Sequence, residues 1–227
     1  VPGVIQSSTV AVAGNDRGIW QHDFAATTNG YTLLAQVEDG IDDGAVFNTT
    51  VRVTLQDADG VSICNRMQVF SNNTGVGAAE NTNLRVVSLG TVFYVFFGDA
   101  ANGDLLVWLL DTTSPATITN AINTSGAGNA ASPVVVENNL DTAIFPAFDA
   151  APSGANGVFI AYMTTTANRI TIGFVSATGV LSGTANLAIT AASADAIAVT
   201  ALSTTTLHGV IFSSGPYGFI LSWSGAA

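Results

Sequence analysis

The sequence predicts an all-β fold built from a repeated unit, and three observations carry that expectation. Helical periodicity is nearly absent: no window places apolar residues at i, i+3, i+4 and i+7 between capping signals. Short runs rich in Val, Ile, Phe, Thr and Tyr alternate instead with clusters of Gly, Asn, Asp and Ser. One arrangement of these runs recurs along the chain. The stretch "GVFIAYMTTTANRITIGFVSATGVL" at 157–181 repeats the order of "TVFYVFFGDAANGDLLVWLLDTTSP" at 91–115: apolar run, turn with Ala-Asn, apolar run, polar turn.

The elements follow in order. An orphan strand, "VIQSSTVAVA" (4–13), precedes the first unit. That unit holds "IWQHDFAAT" (19–27), "GYTLLAQVEDG" (30–40), "TTVRVTLQDADGV" (49–61) and "ICNRMQVFS" (63–71). The second holds "LRVVSLG" (84–90), the pair within 91–115 and "ATITNAINT" (116–124). The third holds "TAIFPAFDA" (142–150), the pair within 157–181 and "TANLAIT" (184–190). The fourth holds "AIAVTALS" (196–203) and a last pair within 207–225, and then stops one strand short.

Four-stranded meanders of about fifty residues are the size of propeller blades. The expectation is therefore a single all-β domain over 1–227, a small β-propeller of about four four-stranded blades. Its units run roughly 14–73, 82–124, 142–190 and 195–227, with strand 4–13 completing the last blade and closing the ring. Closure would remove exposed sheet edges, which lysines usually protect and which this lysine-free chain must protect otherwise. The second strands begin near 31, 92, 158 and 208, an uneven spacing that a β-sandwich or jelly roll would also give.

Composition narrows the function. Charged residues make up 9% of the 227 residues, against roughly 25% in ordinary soluble domains. Five arginines face sixteen carboxylates for a formal net charge of −11, which repels phosphate backbones and argues against nucleic-acid partners. No apolar run approaches the ~20 residues of a spanning helix, so membrane insertion is not expected. The start "VPGVIQSS" has no basic region followed by a long apolar one, so no signal peptide is expected within it. A single cysteine, Cys64, excludes an internal disulfide framework and reads as a small, partly buried strand residue. The lysine-free surface rich in Thr, Asn, Ser, Ala and Gly points to an extracellular, cell-surface or virion setting.

The first unit also carries a resemblance. Its turn Asn29-Gly30, the loop Asp39 to Gly44 and the turn Asp57 to Gly60 follow one another between strands. In this order, residues 23–73 resemble the blade-type repeats of large secreted and surface-attached bacterial adhesins, and of viral tail or surface proteins. The tryptophan usual at the end of the second strand is absent, Gln36 and Val37 standing there. The resemblance implies a propeller blade whose role is to bind or space, and not to catalyse.

Candidate sites follow from residue chemistry. Asp39, Asp42, Asp43, Asp57 and Asp59 are clustered carboxylates on glycine-rich segments and could hold Ca²⁺, although the full spacing of a calcium loop is absent. "DADG" is equally an ordinary turn. Tyr217, Trp20 and Tyr31 are the aromatic rings expected to stack on a glycan, whereas Tyr94, Trp108, Tyr162 and Trp223 are expected to pack between blades. His22 and His208 read as packed or hydrogen-bonded, and Asp99, Asp104, Asp111, Asp141 and Asp149 as turn residues. Arg169 reads as a turn residue opening a strand. No cofactor other than calcium is suggested.

The function expected is a non-enzymatic structural or binding module of an extracellular or virion surface assembly, engaging neighbouring chains as an oligomer or a surface ligand. A lectin-like glycan-binding adhesin is the first alternative. A propeller glycosidase is the second, but no S-x-D-x-G-x-T-W box occurs, and "DADGVSIC" lacks the Thr-Trp end.

Overall fold

The computed structural model describes residues 19–42, 46–72, 83–99, 102–119, 133–141, 147–153, 157–165, 169–188, 196–203, 206–212 and 216–222. Among them, fifteen strands form four antiparallel sheets, each a meander in chain order. Sheet I holds β1 (Ile19–Ala26), β2 (Thr32–Asp42), β3 (Val46–Gln56) and β4 (Ser62–Asn72). Sheet II holds β5 (Leu84–Leu89), β6 (Val92–Asp99), β7 (Asp104–Asp111) and β8 (Val134–Glu137). Sheet III holds β9 (Phe148–Pro152), β10 (Gly157–Met163), β11 (Arg169–Ser176) and β12 (Leu181–Ala188). Sheet IV has three strands, β13 (Ala196–Ser203), β14 (Thr206–Phe212) and β15 (Pro216–Ser222).

The repeat read from the sequence is thus present, with one shift. The strand expected at 116–124 is not formed over its first residues, where 115–119 make one helical turn. The local sequence explains it: Pro115 suits the first helical position, and the Ser114 hydroxyl accepts the Thr117 N–H at 3.2 Å as an N-cap. The fourth strand of sheet II comes later, at Val134–Glu137. The first strand of sheet III is described from Phe148, and residues 142–146 of the expected strand lie outside the described residues. The strand expected at 4–13 also lies outside them.

The four sheets stack face to face in chain order, and the sequence pattern shows why. Successive strand residues point to opposite faces. In β6, Phe93, Val95 and Phe97 pack toward sheet I, while Tyr94 and Phe96 pack toward sheet III. The unbroken apolar run "VFYVFF" is therefore the signature of a strand buried on both faces. Three clusters fill the gaps. Leu33, Val53 and Leu55 of sheet I meet Phe93 and Trp108 of sheet II. Phe96 and Val107 of sheet II meet Phe148 and Ile160 of sheet III. Phe159 and Ile172 of sheet III meet Ile197, Leu207 and Ile211 of sheet IV. Each fully buried large apolar side chain contributes about 1.5–3 kcal/mol.

The first strands β1, β5, β9 and β13 lie next to one another in that order and form one margin of the stack. No hydrophobic cluster joins sheet IV to sheet I among the described residues. The closed ring expected from the sequence is therefore not formed by these residues. Four sheets in series also differ from the two facing sheets of a sandwich.

Candidate functional site

Charged side chains gather at this margin of first strands, for a reason rooted in backbone chemistry. The first strand of each sheet is an edge, and every second N–H of an edge strand has no ladder partner. Side chains of the preceding sheet supply the acceptors. Gln21 Oε1 accepts the Leu84 N–H at 2.8 Å, and Asp23 Oδ2 accepts the Val86 N–H at 2.8 Å. Ser88 Oγ in turn donates to the Ala26 carbonyl at 2.6 Å. Sheets I and II are thereby stitched along β1 and β5.

Sheets III and IV repeat the device. Asp149 Oδ2 accepts the Val199 N–H at 2.8 Å, as Asp23 does for Val86. Each aspartate also caps the residue after it: Asp23 Oδ1 accepts from Phe24 N–H and Asp149 Oδ1 from Ala150 N–H, both at 2.9 Å. Arg85 links the two stitched pairs, with Nε 2.7 Å from Asp149 Oδ1 and Nη1 3.3 Å from Asp23 Oδ2. Asn83 adds a second tie from sheet II to sheet III, its Nδ2 donating to the Phe148 carbonyl. Burial pushes the Asp149 carboxyl above its ordinary range, and the Val199 N–H and the Arg85 guanidinium only partly offset it.

Two carboxylates close to one guanidinium could suggest acid–base chemistry. All four carboxylate oxygens, however, already accept a backbone N–H. The group thereby seals strand edges, each oxygen accepting one backbone N–H. Charged hydrogen bonds of this sort contribute roughly 1.5–3 kcal/mol each.

The residues singled out by the sequence are dispersed. Asp57 and Asp59 sit in the β3–β4 turn, where Asp57 Oδ1 accepts the N–H groups of Asp59 (3.0 Å) and Val61 (2.8 Å) and Gly60 takes a φ of 80°. Asp39 and Asp42 lie toward the far end of the same hairpin, since Thr32 pairs with Gln56 and Asp42 with Val46. Ten residue steps of strand separate those ends by about 30 Å. The five aspartates therefore do not meet in one calcium site, and Asp43 lies outside the described residues. Among the described residues, no group of three or more His, Cys, Asp or Glu side chains is placed to hold a metal ion.

The aromatic candidates are equally spread. Tyr31 is half-buried against the sheet I–II core at one end of the β1–β2 hairpin. Trp20 lies in β1 near its other end, and Tyr217 lies in β15 of sheet IV. Tyr94, Trp108 and Tyr162 are buried between sheets, as their place in the repeat suggests, and Trp223 lies outside the described residues. His22 is exposed and His208 half-buried. Cys64 is half-buried on β4 with its thiol pushed up by burial, so it is a weak nucleophile. Asp111 is the last residue of β7, before the turn that follows, its carboxyl lowered chiefly by the Thr113 hydroxyl. Asp99 is buried at the β6–β7 turn, where it accepts from Asn102 Nδ2 at 2.8 Å; the Asp104 carboxyl is raised by its burial and, to a lesser degree, by the Asp99 charge.

Asp149 is not a turn residue: it lies within β9 and joins three sheets. Neither Arg85 nor Asp23 stands out in the sequence as a candidate site residue. A signal existed in the shared "HDFAA" (22–26) and "FDAA" (148–151), because aspartate is disfavoured inside strands.

No family model matches the chain, and no curated protein does. Among solved structures, the apo form of prolyl oligopeptidase B from Galerina marginata is similar at 12% identity, with a TM-score of 0.23. That likeness covers 83% of this chain and 38% of the other, and a superposition so loose carries no argument about fold or activity.

Proposed function

We propose that the chain is a non-enzymatic structural module of an extracellular or virion surface assembly, and that it works by engaging neighbouring chains. In this reading the four sheets are successive blades of a propeller-type fold, and the strand-like segment 4–13 supplies a fourth strand to sheet IV of a neighbouring copy, sheet IV having three among the described residues. The observation that carries the proposal is a mismatch of exposure. Phe24 is 62% exposed on the face of sheet I turned away from sheet II, and Ile220 is 66% exposed on the face of sheet IV turned away from sheet III. Elsewhere in the stack, faces of this kind are covered by the next sheet. Large bare apolar residues at both ends of a stack fit a part that is completed by contact. Charged residues are only 9% of the chain and none is lysine, which favours the same reading, because few charges must be desolvated when chains meet.

Electron microscopy of the native material tests this function. A regular lattice, tail or fibre is expected. Isolated compact particles would overturn it.

A further inference from the structure

The two bare faces are of opposite kind, and the stack itself shows which kind pairs with which. Take the face of each sheet that looks toward the next sheet as its front, and the other as its back. Each of the three junctions sets a front against a back: sheet I front on sheet II back, II on III, and III on IV. Sheet I is left with an unused back and sheet IV with an unused front.

Equivalent positions make the point sharper. Val86 and Val199 receive the aspartate clasps, and Ala150 follows Asp149 as Phe24 follows Asp23. Val86, Ala150 and Val199 all sit on the back of their sheet and are buried by the sheet before it. Phe24 holds that position in sheet I, backed by its cross-strand partner Leu34, and is bare. On the front of sheet IV, Thr200 pairs with His208 and His208 with Ile220. The corresponding row of sheet III, Ala151–Phe159–Phe174, lies in the III–IV core, with Ala151 and Phe159 buried and Phe174 packed against them. Leu202 adds a second bare apolar side chain to the front of sheet IV.

We infer that the chain associates head to tail with a second copy of itself, the back of sheet I in one copy docking on the front of sheet IV in the other. This rests on the assembly reading above and names the partner. A second copy supplies both missing surfaces in the pairing that the stack already uses three times. A symmetric dimer would set back on back or front on front, a pairing that none of the junctions uses. The new junction differs from the I–II and III–IV junctions in one respect. Ala198 stands in sheet IV where Asp23 and Asp149 stand in sheets I and III, since it precedes Val199 as they precede Phe24 and Ala150. No carboxylate is there to cap the incoming edge, so the contact rests on Phe24 and Leu34 of sheet I meeting Ile220 of sheet IV, within an outer face of sheet I that also carries Gln36, Arg52 and Thr54. It is therefore reversible and depends on concentration.

Sedimentation velocity over a range of protein concentrations tests the inference. The unaltered chain is expected to associate. Phe24→Glu and Ile220→Glu each weaken association roughly tenfold or more, because each places a charge in the docked surface. An equimolar mixture of the two variants is expected to recover a dimer. The intact sheet IV of the Phe24→Glu chain then meets the intact sheet I of the Ile220→Glu chain. Both positions are exposed, so far-ultraviolet circular dichroism should be unchanged in the two variants. A chain that stays monomeric at every concentration overturns the inference, whether or not Phe24→Glu lowers its melting temperature as closure within one chain would require. A dimer that the mixed variants fail to recover overturns it too, in favour of a symmetric contact. If the purified chain is monomeric while the native material forms a lattice, the second-copy inference falls and the assembly reading stands. If the native material forms none, the assembly reading falls.

Discussion

Sheets I and III begin alike and end differently. Both open on a strand whose aspartate caps its own next residue and the edge of the following sheet. Sheet III is covered on both faces, and its β10, "GVFIAYM", is buried at every position. Sheet I is covered on one face, and its β1 alternates between half-buried and exposed residues over Gln21–Ala26. The same local device thus sits in two environments, and the environment sets what each residue contributes. Phenylalanine shows the contrast most plainly. Phe159 is 1% exposed between sheets III and IV and meets Phe174 edge-on at 5.9 Å, while Phe24 is 62% exposed.

Truncating the two rings should therefore give the largest difference. Phe159→Ala is expected to cost about 3–5 kcal/mol, from lost burial and a cavity that β-sheet packing cannot collapse. Phe24→Ala in dilute monomer should stay within about 0.5 kcal/mol. Urea denaturation followed by tryptophan fluorescence measures both. Similar losses at the two positions would mean that sheet I's outer face is covered within the chain, contrary to the comparison.

The aspartates give a smaller but sharper contrast. Asp149→Ala removes the acceptor for Val199 N–H and Ala150 N–H and leaves Arg85 Nε without its carboxylate. Such a loss costs about 2–4 kcal/mol when the groups left behind are mostly shielded from water. Asp23→Ala deprives Val86 N–H and a longer 3.3 Å contact to Arg85 at a more exposed place, and about 1–2 kcal/mol is expected. Hydrogen exchange provides the local readout. Val199 N–H should lose protection in the first variant and Val86 N–H in the second, and protection lost at both sites in both variants would show that the clasps are not separate.

Much of this architecture was legible because strand burial leaves a direct trace. A run such as "VFYVFF" has no polar alternate, so burial on both faces could be read before any sheet was placed. Turn chemistry was legible for the same local reason, as at Asp57 and Gly60. The 115–119 turn was missed because Thr and Ile favour strands, while the Ser114–Pro115 cap that decides the matter is a two-residue signal. The clasp was missed because it joins residues 50 to 64 positions apart in sequence and depends on which edges face one another. Ring closure read as a balance of strands, three in the last unit and one spare at the start. Strand arithmetic says what could pair, but not whether the pairing lies within one chain.

The smallest effect expected is on pH dependence, and it separates the cost of Asp149 from its use. Its carboxyl lies above the ordinary 3.8 because burial disfavours the charge more than Val199 N–H and Arg85 favour it. In the window from 3.8 up to its folded value, the native state binds this proton more tightly than the unfolded state does. The contribution of this group to stability is therefore full below 3.8 and is lost as pH rises through the folded value. Asp111 runs the other way: its carboxyl is lowered by Thr113, so its contribution holds above 3.8 and is lost as pH falls. Asp149→Asn cannot titrate and keeps one oxygen for Val199 N–H. Subtracting its stability from that of the unaltered chain at each pH isolates the aspartate. The difference should shift against the unaltered chain as pH rises through that window. A shift in its favour would mean that the ion pair with Arg85 outweighs burial, and that the link between the two clasped pairs is a net source of stability at neutral pH.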